Sequence, residues 1–395
     1  MKKIALILLL TAGFANAGVW TQFRGPNGNG TSSEKNLPTK LTPKNLKWAK
    51  SLPGRGLSGA LVIGSKVIVT ASGGLNQTRL HVICLDAKDG RTLWHRQFWA
   101  TGRTMCHPKT SVAAPTPCSD GRLIYAIFSS NDVVCLDLDG NLRWLRGLTA
   151  DYANVSNSLG MASSPVVVGG VLVAQVENDS ESYTLGLDKK TGVNLWRLNR
   201  PKAANWTSPL ALPGGLVALQ SRTGLNAIRV ADGTKAWSYD DGASTIPSTI
   251  VSGGVLYIPS HGITALKLNA ADIANTPKQI WRSRRLSPST ASPLVLGAKV
   301  YTVNSAGVLT AGDTKSGDRL WQTRLKGPFS ATPVAAGRHL YFINEKGLMQ
   351  VVDISGKEGE VVGTLNLDDQ FLGSPAIGGD AIYMRSNQKI YKVAK

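Results

Sequence analysis

The chain has 395 residues, 42% of them hydrophobic and only 17% charged, with 44 Lys+Arg against 25 Asp+Glu and a formal net charge of +19. That balance excludes a disordered polyelectrolyte, and the lack of any long apolar run excludes a bundle of membrane helices. A chain this long ordinarily divides into two or three domains unless a repeat joins it into one.

The first element reads as a leader. Lys2 and Lys3 precede an apolar stretch, Ile4 to Phe14, and the small residues Ala15-Asn16-Ala17, the pattern of a secretory signal cleaved near Ala17. The stretch falls short of the ~20 residues that cross a bilayer as a helix. The mature protein is expected in the periplasm or outside the cell, as a monomer with no transmembrane segment. A basic surface there suits acidic proteins, anionic glycans or a membrane surface; no nucleic-acid partner is expected.

Residues 18–43 read as an N-terminal loop segment. Its core, Trp20-Thr21-Gln22-Phe23-Arg24-Gly25-Pro26-Asn27-Gly28-Asn29-Gly30, is rich in turn formers and is pinned by its two aromatics. No strand-then-helix context surrounds these glycines, so they make no phosphate cradle.

From residue 44 to 395 one pattern recurs about eight times. A small residue and often Pro comes first, a Gly follows four positions later, then an alternating apolar run, Leu-Asp, a Gly turn and Trp. In the third copy these are Ser164-Pro165, Gly169, Val171-Leu172-Val173, Leu187-Asp188, Thr191-Gly192 and Leu195-Trp196. The closing aromatic falls at Trp48, Trp94, Trp144, Trp196, Trp237, Trp281 and Trp321, at steps of 40 to 52 residues, and an eighth slot near Val362 lacks it. Each unit has room for four short strands with period-two alternation, which predicts an all-β, eight-bladed propeller of four-stranded antiparallel blades. The chain begins with an unpartnered Trp48 strand and ends at a unit lacking one, so the N-terminal strand is expected to complete the last blade and close the ring.

The phrase Leu85-Asp86-Ala87-Lys88-Asp89-Gly90-Arg91-Thr92-Leu93-Trp94, with copies ending at Trp196 and Trp321, resembles the repeat of PQQ-like, or quinoprotein-like, β-propellers. That superfamily holds quinone-dependent alcohol and sugar dehydrogenases, and also the non-catalytic propeller lipoprotein of the outer-membrane β-barrel assembly complex. The opening Trp20 to Gly30 looks like the start of a group of exported bacterial PQQ-like repeat proteins with no settled activity. The resemblance to the alcohol dehydrogenases implies a vicinal Cys-Cys pair, calcium ligands and a catalytic Asp. This sequence has no Cys-Cys and no Cys-x-x-Cys-His haem site.

The repeated aspartates Asp86, Asp137, Asp188, Asp313 and Asp353 precede tight turns, where a carboxylate caps backbone amides. The seven repeat tryptophans read as packing between blades. Cys84 and Cys135 fill a slot for small apolar residues, whereas Cys106 and Cys118 are candidates for a disulfide across a long loop. Two connections are long, Phe98 to Val112 and Gly147 to Ala162, and they are expected on one rim with Arg200 to Trp206. Arg103, His107, Lys109, Tyr152, Asn154, Asn157 and Trp206 are therefore the candidate ligand face. No catalytic, cofactor or metal residue is assigned. The expected role is an exported non-catalytic scaffold that binds a protein or an anionic or polar glycan, in cell-envelope assembly. The alternative is a divergent or PQQ-dependent oxidoreductase holding that quinone with calcium.

Overall fold

Each repeat folds back on itself because its apolar residues alternate and its glycines reverse the chain. In the third, Val166–Val168 turns at Gly169, whose φ of 59° strains any residue with a Cβ, and returns as Val171–Val176. Tyr183–Asp188 and Asn194–Asn199 follow, each antiparallel to the strand before it. Valine, leucine and tyrosine are buried on both faces of the middle strands, since a neighbouring blade covers each face. Between the last two strands the Asp188 carboxylate accepts the amide hydrogens of Thr191 and Lys190 at 2.8 and 3.0 Å. These bonds, Thr191 foremost, hold its pKa below the ordinary carboxylate value. Asp86, Asp137, Asp313 and Asp353 accept backbone amides in the same way, so these carboxylates are committed to turns.

The computed structural model describes residues 18–156 and 158–395; the expected leader and Asn157 lie outside the described residues. Eight sheets form from these residues. Numbered along the chain, blades 1 to 7 occupy residues 61–99, 118–147, 166–199, 210–239, 250–283, 294–324 and 334–366. Blade 8 joins the two ends of the chain. Ala376–Gly378, Ala381–Arg385 and Lys389–Ala394 are completed by Leu46–Ser51, with Trp48 paired to Lys392 and Ala49 to Tyr391. The eight-bladed, end-closed propeller expected from the repeat is what forms.

Each repeat tryptophan lies on an outermost strand and reaches the next blade. Five of these rings pack on a turn glycine: Trp48 on Gly90, Trp94 on Gly140, Trp144 on Gly192, Trp196 on Gly233 and Trp281 on Gly317, with a Cβ on any of these within 3.0 Å of the indole. The indole N–H then donates to a backbone carbonyl of that turn, at 3.2 Å for Trp48 to Ala87 and 2.9 Å for Trp281 to Thr314. Trp321 packs on Gly359 but its buried Nε1 has no acceptor. Trp281→Phe is therefore expected to cost about 1–2 kcal/mol more than Trp321→Phe, read as the difference in urea midpoints; equal costs would show that the indole hydrogen bonds carry nothing. The missing eighth ring belongs at Gly363, which pairs with Val351 as Trp321 pairs with Ala311. A Cβ there would stand 2.2 Å from the Thr39 carbonyl, so the N-terminal segment fills the space that a tryptophan occupies elsewhere.

That segment runs through the axis. Val19–Trp20 pairs with Leu61–Ile63 of blade 1, and the Thr21 carbonyl accepts the Ser119 amide of blade 2. Gly28 packs on Leu210 of blade 4, Arg24 donates to the Ser248 and Thr249 carbonyls at blade 5, and Gly30 packs on Leu294 of blade 6. Thr31–Ser32 then pairs parallel with Val334–Ala336 of blade 7, and Glu34 accepts the Gly379 amide of blade 8. Trp20 is only 2% exposed. Instead of decorating the surface, the N-terminal segment plugs the channel beside the innermost strands.

Candidate functional site

Above the plug the channel stays open as a cavity of about 390 Å³, within the range of small-molecule sites. Its wall comes from the extended entry to each blade, where period-two geometry turns every second side chain toward the axis. The inner residue is Gly59, Thr116, Ser164, Ser208, Ser248, Ser292, Thr332 or Ser374. The backbone N–H of each donates to the hydroxyl of the following blade, in seven bonds of 2.8 to 3.1 Å from Gly59 round to Thr332. The amide of Ser374 meets no hydroxyl, because the next member is Gly59. Two residues earlier the same entries supply a second tier that includes Leu57, Trp206, Ile246 and Leu372. Phe23 of the plug and His107, Lys109, Thr110 and Leu159 of the two long loops join the lining.

The two long loops lie over this mouth and hold each other. His107 N–H donates to the Leu159 carbonyl at 3.1 Å, and Trp206 Nε1 donates to the Gly160 carbonyl at 3.0 Å. Trp206 is braced from below as well. Glu177 and Arg200 are both buried, with Nε to Oε1 at 2.6 Å; Asn205 Nδ2 donates to Glu177 Oε2 at 2.9 Å, and the Arg200 guanidinium also donates to Asn226. Burial pushes the Glu177 carboxyl up, against the pull of Arg200 and Asn205. The indole thus stands on a satisfied polar network rather than on a free loop.

Of the residues expected to share one face, His107, Lys109 and Trp206 line the cavity. Lys109 pairs with Glu345 at 3.2 Å, and Glu345 also accepts Ser330 Oγ at 2.7 Å. The others go elsewhere. Arg103 donates to Ser156 Oγ at 3.2 Å. Tyr152 packs on Tyr183 with ring centroids 4.5 Å apart, and its hydroxyl accepts Asn194 Nδ2 at 2.6 Å. The Asn154 carbonyl accepts Ser180 Oγ at 2.7 Å. The 147–162 loop folds onto blade 3 and spends these groups locally. Cys106 and Cys118 form no disulfide, for both are free thiols. Cys106 sits over the mouth with its sulfur accepting Gln77 Nε2 at 3.3 Å, while Cys118 is buried beside Tyr125 in blade 2, where desolvation pushes its thiol pKa well up. The hydroxyl ring escaped the sequence reading, although its signal was present: the residue before each repeat proline is Ser or Thr.

No helix among the described residues is long and apolar enough to cross a membrane, which leaves strand-based spans unaddressed. No curated protein matches the sequence. Solved structures share the fold. BamB from Moraxella catarrhalis aligns over 89% of this chain and 97% of its own at 15% identity and a TM-score of 0.65. A europium-containing methanol dehydrogenase aligns over 96% and 98% at 14% identity and a TM-score of 0.70. The quinohemoprotein alcohol dehydrogenase of Comamonas testosteroni aligns over 95% and 80% at 12% identity and a TM-score of 0.68. At such identities the likeness is one of fold, but the sequence profile described as outer membrane protein assembly factor BamB matches residues 39–239, 179–275 and 268–394, and the chain belongs to that PQQ-like propeller family.

Proposed function

We propose that the protein is an exported, non-catalytic scaffold of cell-envelope assembly that receives a partner protein on the loop-rich face around the axial mouth. The carrying observation is the preformed mouth. Loops from three blade entrances are hydrogen-bonded to one another at His107, Leu159, Gly160 and Trp206, so a partner meets a rigid aromatic and basic rim without ordering it first. Membership of a family described as an outer membrane protein assembly factor supports the same reading. A photo-crosslinking residue at Ile246, on the rim and 44% exposed, is expected to trap one defined protein in envelope preparations. The same residue at Leu320, 48% exposed on the outer edge of blade 6, is expected to trap none. Equal adducts at both positions, or none at Ile246, would overturn the proposal, and an adduct bearing sugar would assign the face to a glycan.

The dehydrogenase reading meets a chemical difficulty in this cavity. Calcium takes six to eight oxygen ligands with carboxylates prominent among them. The lining offers hydroxyls, His107 and Lys109 but no Asp or Glu, and nearby Glu345 is already held by Lys109 and Ser330. These residues do not fit a calcium-held quinone.

A further inference from the structure

We infer that the axial cavity is a binding site for an organic monoanion: an apolar body bearing one carboxylate. The inference shares Trp206 and Ile246 with the partner-binding rim but rests on the donors and charges deeper in the cavity.

The donors come first. Every ring hydroxyl accepts one backbone N–H, yet among the described residues none of these hydroxyls gives its own hydrogen to a protein acceptor. Seven O–H donors thus remain for whatever occupies the axis. Thr110, 7% exposed and lining the same cavity, has a buried Oγ1 with no partner at all. Polar hydrogens gathered in a largely apolar enclosure are costly to leave unmet, and an oxyanion is the guest that accepts several at once.

The charges agree. Arg24 lies 3% exposed, with its guanidinium over the ring of Phe23, which lines the cavity. Arg385 lies 1% exposed beside Gly56, next to cavity-lining Leu57, at the place where Gly59 breaks the hydroxyl ring. Both meet only backbone carbonyls: Ser248 and Thr249 for Arg24, Gly56 and Ser386 for Arg385. Neither has a carboxylate partner, and Arg24 Nε and Arg385 Nε and Nη2 have no acceptor. Burial without a counter-ion lowers both arginines to about 9, the mark of positive charge left uncompensated. No Asp or Glu lines the cavity, the nearby Glu345 is already paired with Lys109, and the two unpaired cations stand behind the wall at Phe23 and Gly56. Neutral hydroxyl donors suit a monoanion better than a dianion, whose second charge they would leave without a counter-charge. Leu57, Trp206, Ile246 and Leu372 give the apolar body its place.

The test titrates the full chain by calorimetry with octanoate, 3-phenylpropionate and a tripeptide ending in phenylalanine with a free carboxylate, each beside its neutral amide. An acid at least tenfold tighter than its amide is the expected result, and which acids bind separates a free organic acid from a polypeptide end. Ala162→Phe, which fills the cavity without removing a hydrogen bond, is expected to abolish binding while leaving the melting temperature close to wild type. Acids that bind no better than their amides, that all fail to bind, or that still bind to a folded Ala162→Phe would each overturn the inference. Cross-linking at Ile246 is scored separately, so either proposal can fail alone.

Discussion

A chain lacking residues 44–52 is expected to lose its cooperative melt altogether, although the deletion touches only one of eight sheets. Leu46–Ser51 is the outermost strand of blade 8. Without it Lys389–Ala394 becomes a bare edge, and the backbone pairs from Leu46–Val393 to Ser51–Lys389 are gone. Trp48 leaves too, with its packing on Gly90 and its bond to the Ala87 carbonyl of blade 1. Removing one large packed aromatic costs about 3–5 kcal/mol, and the lost ladder bonds add about 1 kcal/mol each. Against a total stability of roughly 5–15 kcal/mol, the sum unfolds the ring. Scanning calorimetry is the check, and a truncated protein melting like the intact one would show that the ring does not depend on this closure.

Glu177→Ala is expected to be the most damaging single substitution near the mouth. It strands the Arg200 guanidinium, whose side chain is only 4% exposed, and breaking one side of a buried pair costs about 3–5 kcal/mol. The double variant Glu177→Leu with Arg200→Met should recover most of that loss, because well-packed apolar residues of similar volume replace buried ion pairs at little cost. Both variants free Asn205 from its Glu177 contact and so loosen the loop that presents Trp206. Urea midpoints of the wild type, Glu177→Leu, Arg200→Met and the double variant decide it. Additive losses would mean that the two side chains do not act as a pair.

Architecture was legible because the repeat states its own geometry. Pro-to-Gly steps mark the innermost turns, Leu-Asp marks the outer ones, and the tryptophan slot marks the contact with the next blade, all through contacts local in sequence or repeated seven times. The ends could be matched because one lacked what the other had. The site was half legible. Loop length placed His107 and Lys109 at the mouth and a blade-entrance position outside the repeat slot placed Trp206, but loop length cannot say which way a loop folds. Tyr152 and Asn154 turned to blade 3 through Asn194 and Ser180, partners some 26 to 42 residues distant. Arg24 and Arg385 were invisible for a related reason. A buried cation without an acidic partner looks in sequence like any surface arginine, and only the plug's course from blade to blade sets the Arg24 guanidinium against the Phe23 ring.

The seven amide-to-hydroxyl bonds form a hoop with one open link, between Ser374 and Gly59, and that link falls at the joint where the last blade meets the first. Other bonds span the same joint, from Leu52 N–H to the Gln388 carbonyl and from Gly56 N–H to that of Asn387, so the open link is a gap in the hydroxyl ring and not in the closure of the propeller. The same joint carries Arg385 behind its wall and depends on the N-terminal strand for its outer edge. A guest that bridges Ser374 to Thr116 across the glycine would supply the absent link and so complete the hoop around itself.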